Sequence, residues 1–260
     1  MRDGTAVKEQ ERIVQLEVGR RQIAGTVISP EPMLEGMLFI HGWAGNQEQY
    51  LVRARKIAAL GCVCLTFDLH GHAATSAFQA TVTREENLAD VVAAYDFLAG
   101  LPNVNANSIG VVGSSYGGYL AAILTALRPV QWLALRAAAL YRDLDWTKPK
   151  GSLDRADLNA YRLLAINPAE NRALEACTNF GGDVLLVESQ HDTIVPSSVT
   201  ANYRTAFVRA HSLTLSVIEG ADHALSDMNC QEKYTSLLTS WATEVILKAR
   251  SSSKVVQGRE

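Results

Sequence analysis

Six short apolar runs, spaced along the chain and separated by stretches of helical periodicity, constrain this sequence more than any other feature. They are Met37 to Ile40, Val63 to Phe67, Ile109 to Val112, Leu133 to Ala138, Val184 to Val187 and Leu213 to Ile218. Several are almost continuous in apolar residues, the pattern of parallel strands covered on both faces. The stretches between them read as helices. Thr83 with Glu86 makes a capping box, followed by Leu88, Val91, Val92 and Tyr95 at helical spacing, and Gly100 and Pro102 end the run. Further helices are expected from about Tyr116 to Leu127 and from about Gln231 to Lys248. Strand and helix in alternation imply a mostly parallel central sheet with helices on both faces, an α/β architecture. The run Gln22 to Ile28 is expected to add an antiparallel strand near the start.

The segment from about Leu140 to Phe180 interrupts the alternation. It holds Trp146, a turn-prone Lys148-Pro149-Lys150-Gly151, and two short helical stretches, the second starting at Asn167-Pro168. An excursion of this size inside an α/β sheet reads as a cap or lid, here over residues 140–180. The expected organisation is a single domain over 1–260, with residues 1–12 and 250–260 as flexible tails.

Bulk properties remove whole classes of function. A formal net charge of −3 offers no footprint for nucleic acid or an anionic membrane surface. No apolar run reaches the roughly 20 residues of a membrane span, and the first twelve residues lack the apolar stretch of a secretion signal. A cytoplasmic location is the expectation. Cys62, Cys64, Cys177 and Cys230 show no zinc-ligand spacing; Cys62 and Cys64 alternate on one face of a strand and read as buried thiols. No metal or cofactor is implied.

The chemistry concentrates in a few loops. Gly113-Ser114-Ser115-Tyr116-Gly117 matches G-x-S-x-G, a pattern that chance alone would place in roughly one such chain in ten. Its setting is what makes it specific: a buried strand ends at the first glycine and an apolar helix starts after the serine, the geometry of a nucleophile elbow. Ser115 would sit at a helix N-terminus, where free N–H groups favour developing negative charge. Ser114 occupies the variable second position and should point elsewhere.

A serine hydroxyl needs a base, and the base an orienting acid, in the order Ser, acid, His along this fold. Asp192 directly follows the Val184 to Val187 strand and His223 directly follows the Leu213 to Ile218 strand, both at the edge where such sheets bind ligands. Glu188 is the alternative acid. Asp222 is expected to turn its loop, while His191 and His211 lie beside or across the sheet from this edge. For the oxyanion, the backbone N–H groups of Tyr116 and Trp43 are the candidate donors, Trp43 lying in His41-Gly42-Trp43-Ala44-Gly45 after an early strand. His41 is then a loop brace. Asp68-Leu69-His70-Gly71-His72 lacks a third-ligand pattern for a metal and reads as a loop-stabilising network.

Together, the H-G-x-x-G loop, the elbow, the Asp-x-x-Val-Pro after a late strand and the final histidine resemble the α/β-hydrolase superfamily, from about Val14 to Lys248. Asp68 to His72 is similar to that family's D-x-x-G-H-G stretch, with Ala73 where a glycine is common. Ser115-Tyr116-Gly117-Gly118-Tyr119 resembles the elbow of the prolyl oligopeptidase group and of related small esterases, and these residues contain no counterpart of the group's large propeller. The resemblance implies an α/β-hydrolase fold and acyl transfer to water with Ser115, Asp192 and His223 as the catalytic set. A small soluble ester is the expected partner, held by Trp43, Tyr116, Tyr141 and Trp146. Oligomeric state is left open. An aminopeptidase or amidase is the second reading, with Asp143, Asp145 or Asp154 available to meet a substrate amine. A catalytically silent binding protein on the same fold is the third.

Overall fold

A computed structural model describes residues 10–29 and 35–257. Eight strands form one sheet: β1 (Gln10–Val18), β2 (Arg21–Ser29), β3 (Glu35–Ile40), β4 (Cys62–Phe67), β5 (Ile109–Ser114), β6 (Trp132–Arg136), β7 (Asp183–Ser189) and β8 (Ser212–Ile218). Seven α-helices connect or follow them: α1 (Glu48–Ala58), α2 (Arg84–Ala99), α3 (Tyr116–Leu124), α4 (Arg155–Arg162), α5 (Arg172–Asn179), α6 (Ser197–Ala206) and α7 (Met228–Gln257). The strand order is β1-β2-β4-β3-β5-β6-β7-β8. β3 to β8 run parallel, while β2 is antiparallel to both β1 and β4. This is the open, mostly parallel α/β sheet that the apolar runs imply.

Alternation along each central strand divides the core in two. In β3, Met37 and Phe39 face the layer of α1 and α7, and Leu38 and Ile40 face the layer of α2, α3, α5 and α6. Cys62 and Cys64 lie on one face of β4, and all four cysteines are free and buried. Burial, then the nearby Glu35 carboxylate, pushes the Cys62 thiol up to about 12, so it stays protonated.

Several boundaries depart from the sequence expectations. Residues 10–12, expected in an N-terminal tail, begin β1; residues 1–9 of that tail lie outside the described residues. Val14 and Leu16 alternate inward there, but the flanking Glu11, Arg12 and Glu17 mask the strand signal. At the other end α7 runs on to Gln257, past Lys248 and through most of the expected 250–260 tail; residues 258–260 lie outside the described residues. Arg250 is the anchor: its Nε donates to the Glu35 carboxylate at 2.9 Å, and its Nη1 donates to the Leu60 carbonyl at 2.9 Å. The β6 strand stops at Arg136 because Ala137 takes φ +44°, and α3 ends at Leu124 in a turn that continues to Leu127.

Residues 140–180 are only in part a cover. Asn167 caps a single turn at Pro168–Glu170; the helix proper begins four residues later, where the Asn171 side chain accepts from the N–H groups of Ala173 and Leu174. That helix, α5, packs beside α3 with Ala173, Leu174 and Cys177 in the core, so it belongs to the helical layer. The stretch around Lys150 behaves differently. Pro149 bridges to Thr83, and the Lys150 N–H donates to the Val82 carbonyl at 2.9 Å, tying a strap across the C-terminal edge of the sheet.

Close approach of α3 to the end of β3 depends on Gly117. A Cβ there would lie 2.3 Å from the Ile40 carbonyl oxygen and 2.4 Å from that of His41. Gly117→Ala should therefore cost about 2–4 kcal/mol of unfolding free energy in a urea titration. Gly181→Ala, where the added methyl meets nothing within 4 Å, should stay within about 0.5 kcal/mol of wild type.

Candidate active site

The turn from β5 to α3 places Ser115 in a conformation that side chains rarely adopt, φ +53° and ψ −117°. Three backbone bonds hold it: the Ser115 N–H donates to the Arg136 carbonyl at 2.9 Å, and the Ser115 carbonyl accepts from the N–H groups of Ala139 at 2.9 Å and Tyr119 at 3.1 Å. Strain at the tip of a strand is thus supported by the next strand and the loop after it. The hydroxyl is left pointing off the end of the sheet.

His223 Nε2 lies 2.9 Å from Ser115 Oγ, and His223 Nδ1 lies 2.7 Å from Asp192 Oδ2. The second Asp192 oxygen accepts from the N–H groups of Ile194 and Val195, each at 2.8 Å. Burial alone would raise the Asp192 carboxyl, but the hydrogen bond from His223 and the two backbone N–H groups together hold it below its ordinary value. A carboxylate against Nδ1 keeps the proton there, which leaves Nε2 as an acceptor for the serine hydroxyl. Ser115, His223 and Asp192 come from loops after β5, β8 and β7, and the sheet brings all three together.

Glu188 is not part of this chain; it hydrogen-bonds Thr200, and burial raises its carboxyl. Asp222 turns its own loop, accepting from Ser226 N–H at 2.8 Å and Ser226 Oγ at 2.6 Å. Ser114 Oγ is buried and accepts from Arg136 Nε at 3.3 Å. His211 pairs with Asp183 at the opposite end of β7.

The loop after β3 closes the other side of the serine. A Cβ on Gly42 would come within 3.3 Å of the Ser115 Cβ, a tight contact that would push the loop back from Ser115 by a few tenths of an ångström. The backbone N–H groups of Trp43 and Tyr116 donate to no acceptor among the described residues. His41 braces this loop from within. Its Nδ1 lies 2.7 Å from the Gly42 carbonyl and its Nε2 is 3.0 Å from the Leu69 N–H, which requires the proton on Nδ1. Burial lowers its pKa to about 4, so the imidazole is neutral and cannot serve as a second base. Asp68 accepts from the Gln47 N–H at 2.8 Å and from Gln47 Nε2 at 3.1 Å, fastening the start of α1.

The aromatic residues divide differently from their expected roles. Trp43 borders the cleft beside Ser115. Tyr116 and Tyr141 do not; both rings are buried and packed edge-on against one another, with the Tyr116 hydroxyl donating to Asn87. Trp146 stacks on the Arg172 guanidinium at 3.8 Å, away from the cleft. The cleft has a volume of about 380 Å³, and its far wall is built by Tyr50 and Arg53 from α1, Arg136 from β6 and Tyr234 from α7. Sequence spacing contains no sign of these four, because each lies on an ordinary core-facing position of a regular element.

Similarity to known proteins agrees with this fold. Residues 47–249 match the family model described as Prolyl oligopeptidase family. The chain belongs to that family. No curated sequence relative matches it. Among solved structures, family-like folds include a dienelactone hydrolase from Anabaena variabilis, 19% identical over 91% of this chain and 98% of that one, with a TM-score of 0.66. An esterase domain from Rhodothermus marinus is 20% identical over 90% of this chain and 99% of that one, with a TM-score of 0.65. The acylaminoacyl peptidase of Pyrococcus horikoshii is 15% identical over 92% of this chain but only 41% of its own, with a TM-score of 0.68. The family assignment and these folds make the protein a hydrolase of the α/β-hydrolase superfamily. No described helix is long and apolar enough to cross a membrane.

Lys150 adds an unusual charge beside the loop. Its ammonium lies 4.3 Å from the Trp43 ring centroid and within 5.6 Å of those of Tyr116 and Tyr141. Burial, then the fields of Arg162, Arg155 and Arg84, pushes its pKa down from 10.5 to about 7. Below pH 7 the folded state carries the full cost of a charged Lys150. Between about pH 7 and 10.5 the unfolded chain binds more protons than the folded one, so this residue's contribution to stability improves as pH rises. The melting temperature of Lys150→Met relative to wild type should accordingly fall as pH increases from 7 to 10. A difference independent of pH would contradict the shifted lysine.

Proposed function

We propose that this protein hydrolyses small carboxylic esters through an acyl-enzyme on Ser115. The observation that carries this reading is the unbroken hydrogen-bonded chain Ser115–His223–Asp192 facing two unspent backbone N–H groups. In the proposed reaction His223 Nε2 takes the proton of Ser115 Oγ as Oγ bonds to the ester carbonyl carbon. The carbonyl π pair moves onto oxygen, which the Trp43 and Tyr116 N–H groups receive. Collapse breaks the bond to the alkoxy oxygen, His223 protonates it, and the alcohol leaves. Water then gives a proton to His223 while its oxygen bonds to the acyl carbon. Breaking the bond to Oγ releases the acid and returns the proton to Ser115.

Peptide or amide cleavage is the second reading, favoured by the family match and by the acylaminoacyl peptidase fold. The acids that could meet a substrate amine are otherwise engaged. Asp143 pairs with Arg172, Asp145 with Lys148, and Asp154 caps α4. None of the three borders the cleft. Hydrolysis of an aryl acetate with an amino-acid anilide left untouched is the expected result, and the reverse preference would replace the first reading by the second.

Ser115→Ala should abolish ester hydrolysis and fluorophosphonate labelling, whereas Ser114→Ala should retain both. Similar activity in the two variants would remove Ser115 from its role. Asp192→Asn makes a sharper test. The N–H groups of Ile194 and Val195 require an acceptor, so the asparagine oxygen should face them and its NH₂ should face His223. The imidazole would then carry its proton on Nε2 and could not accept from Ser115. A fall in kcat of about 10³–10⁴-fold with the melting temperature little changed is expected.

A further inference from the structure

The cleft beside Ser115 carries two positive charges that no carboxylate among the described residues neutralises. Arg53 and Arg136 are 9% and 7% exposed, and neither has a carboxylate within 4.0 Å among the described residues. Both guanidinium groups flank the Tyr234 ring, at 4.8 and 5.8 Å from its centroid. Their neutral contacts are few. Arg53 Nη1 donates to the Gln49 carbonyl at 2.8 Å, while its Nε is shut from solvent with no partner. Arg136 spends Nε on Ser114 Oγ at 3.3 Å and Nη1 on the His223 carbonyl at 2.9 Å and Ser189 Oγ at 3.3 Å. The cleft lining includes Gln49 and Gln231 but no aspartate or glutamate.

Burying two like charges without a counterion is costly, and burying a guanidinium donor without an acceptor adds to that cost. An anion entering the cleft would offset the charge term of that cost. A carboxylate suits the site better than a neutral polar group, because the planar guanidinium fork matches its two oxygens. Arg53 is the group with donors to spare. Arg136 is held by the His223 loop and supplies field, and its bond to the His223 carbonyl links the anion site to the loop that carries the base. Since Ser115 and His223 border the same cleft, the anion and the scissile bond belong to one small molecule.

We propose that the substrate is an ester bearing a free carboxylate, which Arg53 binds with Arg136 behind it. This deepens the esterase reading and rests on it. The bound carboxylate would hold the reacting carbonyl against Ser115, so its contribution appears mainly in KM.

Two measurements test this. In the first, turnover of 4-nitrophenyl hemiglutarate is compared with that of 4-nitrophenyl valerate, which has a methyl in place of the carboxylate. The anionic ester should be favoured by about tenfold or more in kcat/KM, the scale of a charge-assisted hydrogen bond. Arg53→Gln should bring the ratio to about one, and Arg53→Lys should restore part of it. Equal turnover of both esters by wild type would overturn the anion site while leaving the esterase reading intact. In the second, glutarate is titrated into the wild-type protein by calorimetry, with the neutral glutaramide as control. Saturable binding of glutarate alone is expected, and loss of protection of Ser115 from fluorophosphonate in Arg53→Gln should accompany it. No binding of glutarate overturns the proposal whether or not either ester is cleaved. Hydrolysis of neither ester, with glutarate still bound, would overturn the esterase reading and with it the ester substrate, leaving only the anion site.

Discussion

The closeness of α3 to the end of β3 is the contact on which the site is built. Because position 117 has no side chain, the first turn of α3 rests against the carbonyl groups of Ile40 and His41. That contact fixes two things at once. It sets the helix N-terminus beneath Ser115, and it brings the His41–Gly45 loop against the serine from the side. The strained Ser115 backbone is tolerable because Arg136 and Ala139 hold it through backbone bonds, so the cost of one residue is spread over β6 and its following loop.

Around this point the protein manages charge by burial. His41 is kept neutral with its proton assigned by Gly42 and Leu69, which makes it a rigid strut. Asp192 is kept ionised by three donors despite being largely buried. Lys150, pressed onto Trp43 by the strap from Pro149, sits near the balance point between its charged and neutral forms. Arg53 and Arg136 are the exceptions, retaining charge in a cleft without an acid. Carboxylates elsewhere, such as Glu35 against Arg250 and Asp143 against Arg172, have found partners, which makes the unpaired pair beside the serine stand out as a receptor for something brought from outside.

Much of this arrangement is legible in the sequence. Near-continuous apolar runs require cover on both faces, and only a parallel sheet between two helical layers supplies it. The elbow, Asp192 and His223 are legible because each follows a strand directly, and a parallel sheet carries all such residues to one edge. Where local pattern and structure differ, tertiary contacts outweigh local signals. Arg250 lies in a polar, serine-rich stretch that looks like a tail, yet its bonds to Glu35, Leu60 and Gly61 extend α7 through it. Tyr116 and Tyr141 looked like pocket aromatics and are core residues, because the helix and loop that carry them turn their rings away from the cleft.

What the sequence by itself determined is the sheet, the placing of Ser115, Asp192 and His223 each directly after a strand, and the glycines that let backbone approach backbone. These are properties of short windows, in which periodicity and neighbouring residue types already specify the local geometry. Only the tertiary structure decided what faces the serine. Arg53, Arg136 and Tyr234 lie 83 and 98 residues apart in turn and belong to α1, β6 and α7, none of which has a sequence pattern tied to the others. Packing of α1 against α7 over one face of the sheet brings them together, and with them the charge that the cleft offers to a substrate.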